Sequence, residues 1–379
     1  MSVTLPSAPA LGMDTEDGGR MPTMDSGRDE VVDVLRGLCI VMMVCNHVAP
    51  GSLLNRFSHA ALFIDGAMGF VFLSGYILGI VHFRRVAKIG REGAFLKILR
   101  RAGQLYGIHV LLALSLTTWA VVANRLGVVG HDEASFQLLP TVGRILTFQL
   151  QPPFLDILPL YCVFLVLAIP GLHLIGCVGV LPVLAASAGI YTWGLIYQTE
   201  GSFWGSHFRP SGWQFLFFAG MSLGVVLNRN SSSKRFWRQS LVRPTFVLFL
   251  GFLGVSQLAR PGLEGLRPSS VETFMGFFNK SSLGLMTVVY FLSAVLPAYS
   301  VMGGLYRRGS TWKLLTDPLA ELGRASLFSY LAHFVILAVA LSVGITKMSW
   351  YLQDITAVMA LGLIILGSRS RLMRRLIPN

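Results

Sequence analysis

Ten stretches of the sequence approach the length and apolarity needed to cross a bilayer as helices, and no other feature narrows the fold as much. A helix rises about 1.5 Å per residue, so a hydrocarbon layer of about 30 Å takes about 20 apolar residues. The stretches lie near 32–49, 60–82, 103–124, 153–169, 173–195, 211–228, 244–260, 283–302, 325–345 and 349–367. Only 13% of the 379 residues are charged and 53% are hydrophobic, whereas soluble domains carry roughly 25% charged residues. The expected fold is therefore all-α, a polytopic transmembrane helix bundle of about ten spans. Residues 28–368 make up the membrane domain. Residues 1–27 lack both a basic n-region and an apolar h-region, so they read as a disordered tail and not as a signal peptide. Residues 369–379 form a basic tail.

Charge sets the orientation. A formal net charge of +13 could suit a nucleic-acid partner, but here the basic residues fall in short blocks between apolar runs, where they act as topology signals. With the N-terminus inside, the inner loops and tails hold 22 of the 31 lysines and arginines, the outer loops hold eight, and Arg36 lies within the first span. The positive-inside rule then places both termini in the cytoplasm of a multi-pass inner-membrane protein with no nucleic-acid partner. Cys39, Cys45, Cys162 and Cys177 lie in apolar stretches, with no CxxC pair and no histidine at zinc-ligand spacing. They read as buried small hydrophobes, and no metal site is expected.

An ionisable group inside a span costs roughly 2.5–3.5 kcal/mol at the helix centre, so each one is a functional candidate. In the first span, Arg36 and His47 are eleven residues apart. That spacing puts them within about 20° of one helix face and roughly 16 Å apart along the axis. The competing reading pairs Asp33 with Arg36 at the inner surface and lets His47 snorkel outward. Asp65, Asp156, Trp213, Gln214 and Asp354 all fall near outer ends of spans, with Arg209 and Lys280 just beyond, as expected for an outward-facing polar cavity. His333, close to Tyr330, lies nearer mid-depth and reads either as a helical histidine bonded to a carbonyl or as a functional group. On the inner side, Arg84, Arg85, Lys88, Arg91, Lys97, Arg100 and Arg101 could hold the phosphates of a nucleotide-like ligand, or serve topology alone. Gly75 and Gly79 sit at GxxxG spacing, a packing signal.

Five fragments resemble one known family. They are the RD…DxLRG…H pattern of 28–47, FVFLSGYILG (70–79), PSGWQFLFFAG (210–220), NKSSLG (279–284) and LGRASLFSYLAH (322–333). In this order, across nearly the whole chain, they look like the OpgC-type succinyltransferases of osmoregulated periplasmic glucans. The Arg36-x10-His47 spacing is also similar to that of the wider acyltransferase-three superfamily. The resemblance implies that His47 is the catalytic histidine, Arg36 the motif arginine, and Trp213 with Gln214 the WQ pair. Two positions depart from the pattern: Met68 replaces an acidic residue and Thr287 an arginine.

The expectation is a membrane O-acyltransferase that carries an acyl group, such as succinyl, from cytoplasmic acyl-CoA to a hydroxyl of an envelope glycan. Succinyl-CoA or acetyl-CoA is the donor substrate, no cofactor is permanently bound, and the partners are membrane lipid, donor and glycan acceptor. A sugar hydroxyl needs a general base near neutral pH, the role assigned to His47. Asp65, at similar predicted depth, would orient its ring. Arg36, Arg84, Arg85, Arg100 and Arg101 would bind acyl-CoA. Asp156, Arg209, Trp213, Gln214, Lys280 and His333 would bind the acceptor or acyl group, with Gln214 or Arg209 donating to the thioester oxygen. Two rivals stand beside this reading. A transporter or exporter would also need intramembrane carboxylates, though the chain shows no matching interrupted helices in its two halves. An inactive accessory protein could keep the fold, given Met68 and Thr287.

Overall fold

A computed structural model describes residues 29–125, 138–152, 154–197, 208–229, 240–258, 277–308 and 310–370. The expected tail 1–27 and nearly all of the basic tail lie outside these residues. All regular secondary structure among the described residues is helical: α1 (Glu30–Val48), α2 (Leu53–Ser58), α3 (Gly66–Arg125), α4 (Leu138–Leu146), α5 (Ile157–Val178), α6 (Val180–Tyr197), α7 (Pro210–Arg229), α8 (Val242–Gln257), α9 (Leu285–Arg307), α10 (Ser310–Arg324), α11 (Ser326–Ser342) and α12 (Trp350–Arg369), with a 3-10 turn at Ile345–Lys347. Each of the ten apolar stretches has its helix, two of them as the arms of α3. Among the described residues, seven helices, counting α3 once, are long and apolar enough to cross a membrane. The pair α10 and α11, bent by 91°, adds an eighth, and α8 is a shorter apolar helix.

The 60-residue α3 is broken at Gly90, whose φ of 74° is open to glycine and disfavoured for other residues. The break separates the second and third apolar stretches and turns the basic loop between them into two helical walls. The boundary between the fourth and fifth stretches differs from expectation. Stretches near 153–169 and 173–195 imply a break at 170–172, yet α5 continues through Pro170 to Val178, and the chain turns at Gly179, φ 91°. Proline is tolerated in membrane helices because neighbouring groups re-satisfy the backbone that it frees. Pro159 lies in the first turn of α5, where no amide donor is needed.

Lipid gives helices little hydrophobic reason to associate, so close backbone approach between small residues carries much of the packing. The α3–α7 contact is built this way from both sides. A Cβ at Gly75 or Gly79 would strike the carbonyls of Phe217 and Met221, and one at Gly220 or Gly224 would strike those of Phe72 and Tyr76. The sequence reading found only the α3 half of this motif. A second close crossing joins α1 to α10, where Gly37 lies against the Leu319 carbonyl and Gly323 against that of Asp33. Gly66, the first residue of α3, lies against the Cys39 carbonyl, and a Cβ at Gly69 would come within 2.6 Å of the Cys39 sulfur. Cys39 is the midpoint of α1. The start of α3 therefore stands beside the middle of α1, deeper than an outer-end position for Asp65 implies.

Candidate active site

His47 occupies the last turn of α1 and His333 the middle of α11. Their ring nitrogens, Nδ1 of His47 and Nε2 of His333, stand 3.2 Å apart. His333 Nδ1 hydrogen-bonds the Tyr330 carbonyl one helical turn earlier. The residue that bonds a helical carbonyl is thus also a hydrogen-bonding neighbour of His47. Phe154 also packs against His47, ring centroids 4.2 Å apart.

Asp65 is not that neighbour. Its Oδ1 accepts from the Met68 amide at 3.0 Å and caps α3, an arrangement that satisfies one of the free amides of a helix start. This corrects the expected His47–Asp65 dyad, and the reason lies in the height at which α3 begins. Met68, one of the two departures from the family pattern, is fully buried there.

From the histidine pair a column of packed side chains runs toward Arg36. His333 meets the Tyr330 ring at 5.3 Å, Tyr330 stacks on Phe70 at 6.0 Å, and the Arg36 guanidinium lies 5.7 Å from the Phe70 ring centroid, within cation–π range. Arg36 also donates a hydrogen bond to Ser326 Oγ at the start of α11. Phe70, Tyr330, Ser326 and Phe154 escaped the sequence reading as site residues. The first three lie inside the quoted motifs, which was the available signal, whereas Phe154 has no signal beyond its nearness to Asp156.

Two adjoining cavities, of about 430 and 420 Å³, open beside Arg36 and share it with Ile77, Val81, Arg85 and Arg101. Lys97 and Arg100 line one and Arg324 the other. The cations come from both arms of α3 and from the end of α10, so the break at Gly90 is what lets the arms face one another. Four of the five expected donor-binding residues, Arg36, Arg85, Arg100 and Arg101, are brought together here. Arg84 is not among the lining residues, and Lys97 and Arg324 take places beside the four. Asp29 and Asp33 also line the space.

Other expected residues are used differently. Trp213 is fully buried and its indole donates to the Ser281 carbonyl at 3.1 Å. The Gln214 amide nitrogen donates to the Ser187 and Ser211 carbonyls at 2.8 and 2.9 Å, and its oxygen accepts from Ser187 Oγ at 2.6 Å. Both amide hydrogens are spent on backbone, so Gln214 ties α6 to α7 and is not placed as a donor to a thioester oxygen. The Arg209 amide donates to the Ser281 carbonyl at 3.0 Å. Thr287, the second departure, accepts from the Asn279 amide at 3.1 Å and pins the loop before α9. Lys280 is exposed in that loop. Burial, aided by the Lys280 charge, holds the His59 imidazole below its ordinary range, while Asp65 pulls the other way. Asp156 is buried just before α5, within electrostatic reach of the Tyr330 hydroxyl. Asp354 accepts from the Leu53 and Leu54 amides and caps α2.

Fold and site together define a polytopic helical membrane protein that has a basic cavity at one end of a buried column and a histidine pair at the other. Residues 28–374 match the family model described as OpgC protein, and the chain belongs to that family. Membership gives it a role in glucan modification, as a glucan-modifying transferase. No match was found among curated proteins or solved structures.

Proposed function

We propose that the protein is an inner-membrane O-acyltransferase that passes an acyl group from cytoplasmic acyl-CoA to a glucan hydroxyl on the outer side, with succinyl as the favoured group. The observation that carries this reading is the placement of the basic cavity and the His47–His333 pair at opposite ends of the Arg36–Phe70–Tyr330 column. Arg85, Lys97, Arg100 and Arg101 supply the charge that the donor's phosphates require, and the positive-inside asymmetry turns that end toward the cytoplasm.

His47 accepts the proton of the glucan hydroxyl as its oxygen attacks the thioester carbon. The C–O bond forms, the C–S bond breaks, and the proton passes from the imidazolium to the departing CoA thiolate. A histidine suits both halves, since one ring nitrogen can take a proton and give it back. The test is mass spectrometry of envelope glucans from cells with and without the gene, joined to transfer assays with the purified protein, glucan and either succinyl-CoA or acetyl-CoA. Loss of an acyl mass on deletion, restored by the wild-type gene and not by His47→Ala, supports the reading. An unchanged glucan profile, with no transfer from either donor, overturns it.

A further inference from the structure

The geometry points to His333 as the positioning residue that fixes the tautomer of His47, with His47 Nε2 left as the reactive nitrogen. The inference deepens the acyltransferase reading and, for its effect on turnover, rests on it. It begins at the Tyr330 carbonyl, which can only accept a hydrogen bond. The nitrogen bonded to it, His333 Nδ1, must therefore carry a proton.

A neutral imidazole has one donor and one acceptor nitrogen, so His333 Nε2 presents a lone pair. The group 3.2 Å away is His47 Nδ1, which must then be the donor. His47 Nε2 is left without a proton, free to act as base or nucleophile.

The alternative puts a second proton on His333, which would make His47 Nδ1 the acceptor and its Nε2 a donor, useless as a base. That charge would sit on a ring only 1% exposed, with no carboxylate among the described residues hydrogen-bonded to it. Burying an unpaired charge is costly. Among the described residues, the titratable groups around the pair include His59, within electrostatic reach of His47, and Tyr330, in ring contact with His333; Asp65 and Lys280 act on His59, and Asp156 acts on Tyr330. None of their side chains has a hydrogen bond to either imidazole. The carbonyl–His333–His47 chain thus does what a carboxylate does in other histidine bases, orienting the ring and choosing its tautomer, without introducing a negative charge.

Two substitutions separate this role from simple packing. The amide of Gln in His333→Gln reaches the position of Nε2 and its oxygen can accept from His47 Nδ1. His333→Leu fills similar space and accepts nothing. With the full-length protein, His333→Leu should lower kcat on the order of 10²-fold or more at unchanged KM for acyl-CoA, while His333→Gln stays within about tenfold of wild type, the size of one modest hydrogen bond. Nitrogen-15 NMR of labelled histidine should find the His47 proton on Nδ1 in the wild type and in His333→Gln, and a shift toward Nε2 in His333→Leu. Wild-type turnover in His333→Leu, equal loss in both variants, or a His47 proton on Nε2 in the wild type would each overturn the assignment. If the wild type transfers neither succinyl nor acetyl, the acyltransferase reading falls, and the NMR tautomer alone decides the relay.

Discussion

The Asp65 carboxylate accepts the Met68 amide at 3.0 Å, and that one bond separates a capping residue from a catalytic one. An N-cap needs an acceptor oxygen and no charge, so Asn serves nearly as well as Asp, whereas Ala costs roughly 0.5–2 kcal/mol. Asp65→Asn should therefore keep acyl transfer within about tenfold of wild type, far from the 10²- to 10⁴-fold fall expected when general-base help is lost. Asp65→Ala should lower thermal stability without a matching loss of turnover in the protein that remains folded. A hundredfold drop in kcat for Asp65→Asn would restore the dyad.

What the sequence makes legible follows from where the costs lie. Charged groups in apolar runs are expensive, so Arg36, His47 and His333 stand out in the sequence, and the structure joins all three through the buried Phe70 and Tyr330. Their pairing was hidden because it depends on the height at which neighbouring helices begin. The seating of Gly66 against Cys39 sets that height for α3, and no periodicity within α3 reports it. The basic loop was legible as charge, but its division into lining and non-lining cations depends on the direction taken after Gly90. Trp213 and Gln214 were legible as polar groups at a helix start. That the Gln214 amide is used up by the Ser187 and Ser211 carbonyls could be known only once α6 was placed beside α7.

The reciprocal glycines of α3 and α7 carry their own prediction. Because the clash partners are backbone carbonyls, a side chain at Gly75 or Gly220 cannot be relieved by a rotamer change. Gly220→Val should reduce the yield of monodisperse detergent-solubilised protein, and Gly220→Ala should lower the melting temperature, in line with the 1–3 kcal/mol typical of overpacking. Gly107, with open space around its Cβ position, is the control, and Gly107→Ala should be tolerated. Equal melting temperatures for Gly220→Ala and wild type would contradict the close crossing.

His59 reports on the charges around the loop before α9. Burial and the Lys280 charge lower its pKa, and Asp65 opposes them. Removing a positive neighbour makes protonation easier, so Lys280→Met should move the His59 titration midpoint upward. Removing the negative neighbour should move it downward in Asp65→Asn. A depressed histidine also contributes stability above its unfolded pKa that is lost as pH falls through the interval down to its folded pKa. The wild type should therefore lose stability relative to His59→Gln as pH drops below about 6.5. An NMR titration of His59 checks both directions, and midpoints that move together, or not at all, would remove Lys280 from this neighbourhood.

If the basic cavities bind acyl-CoA as proposed, their lining cations and the loop cations that serve topology alone should respond differently to substitution. Arg101 lines both cavities and Arg100 one of them, whereas Arg84, one residue from Arg85 on the same helix arm, lines neither. Charge-assisted bonds to phosphate contribute about 1.5–3 kcal/mol each, or roughly 10- to 100-fold in affinity. Arg101→Ala should raise the KM for acyl-CoA by about that factor and leave kcat nearly unchanged, because the phosphates are bound equally in the ground and transition states. Added salt should narrow the gap between wild type and Arg101→Ala, since partly exposed charge pairs are screened. Arg84→Ala should leave KM within about twofold of wild type, a difference under about 0.5 kcal/mol. Equal effects at Arg84 and Arg101 would mean that the loop's total charge matters and its geometry does not, which would leave the basic end of the column as a topology signal only.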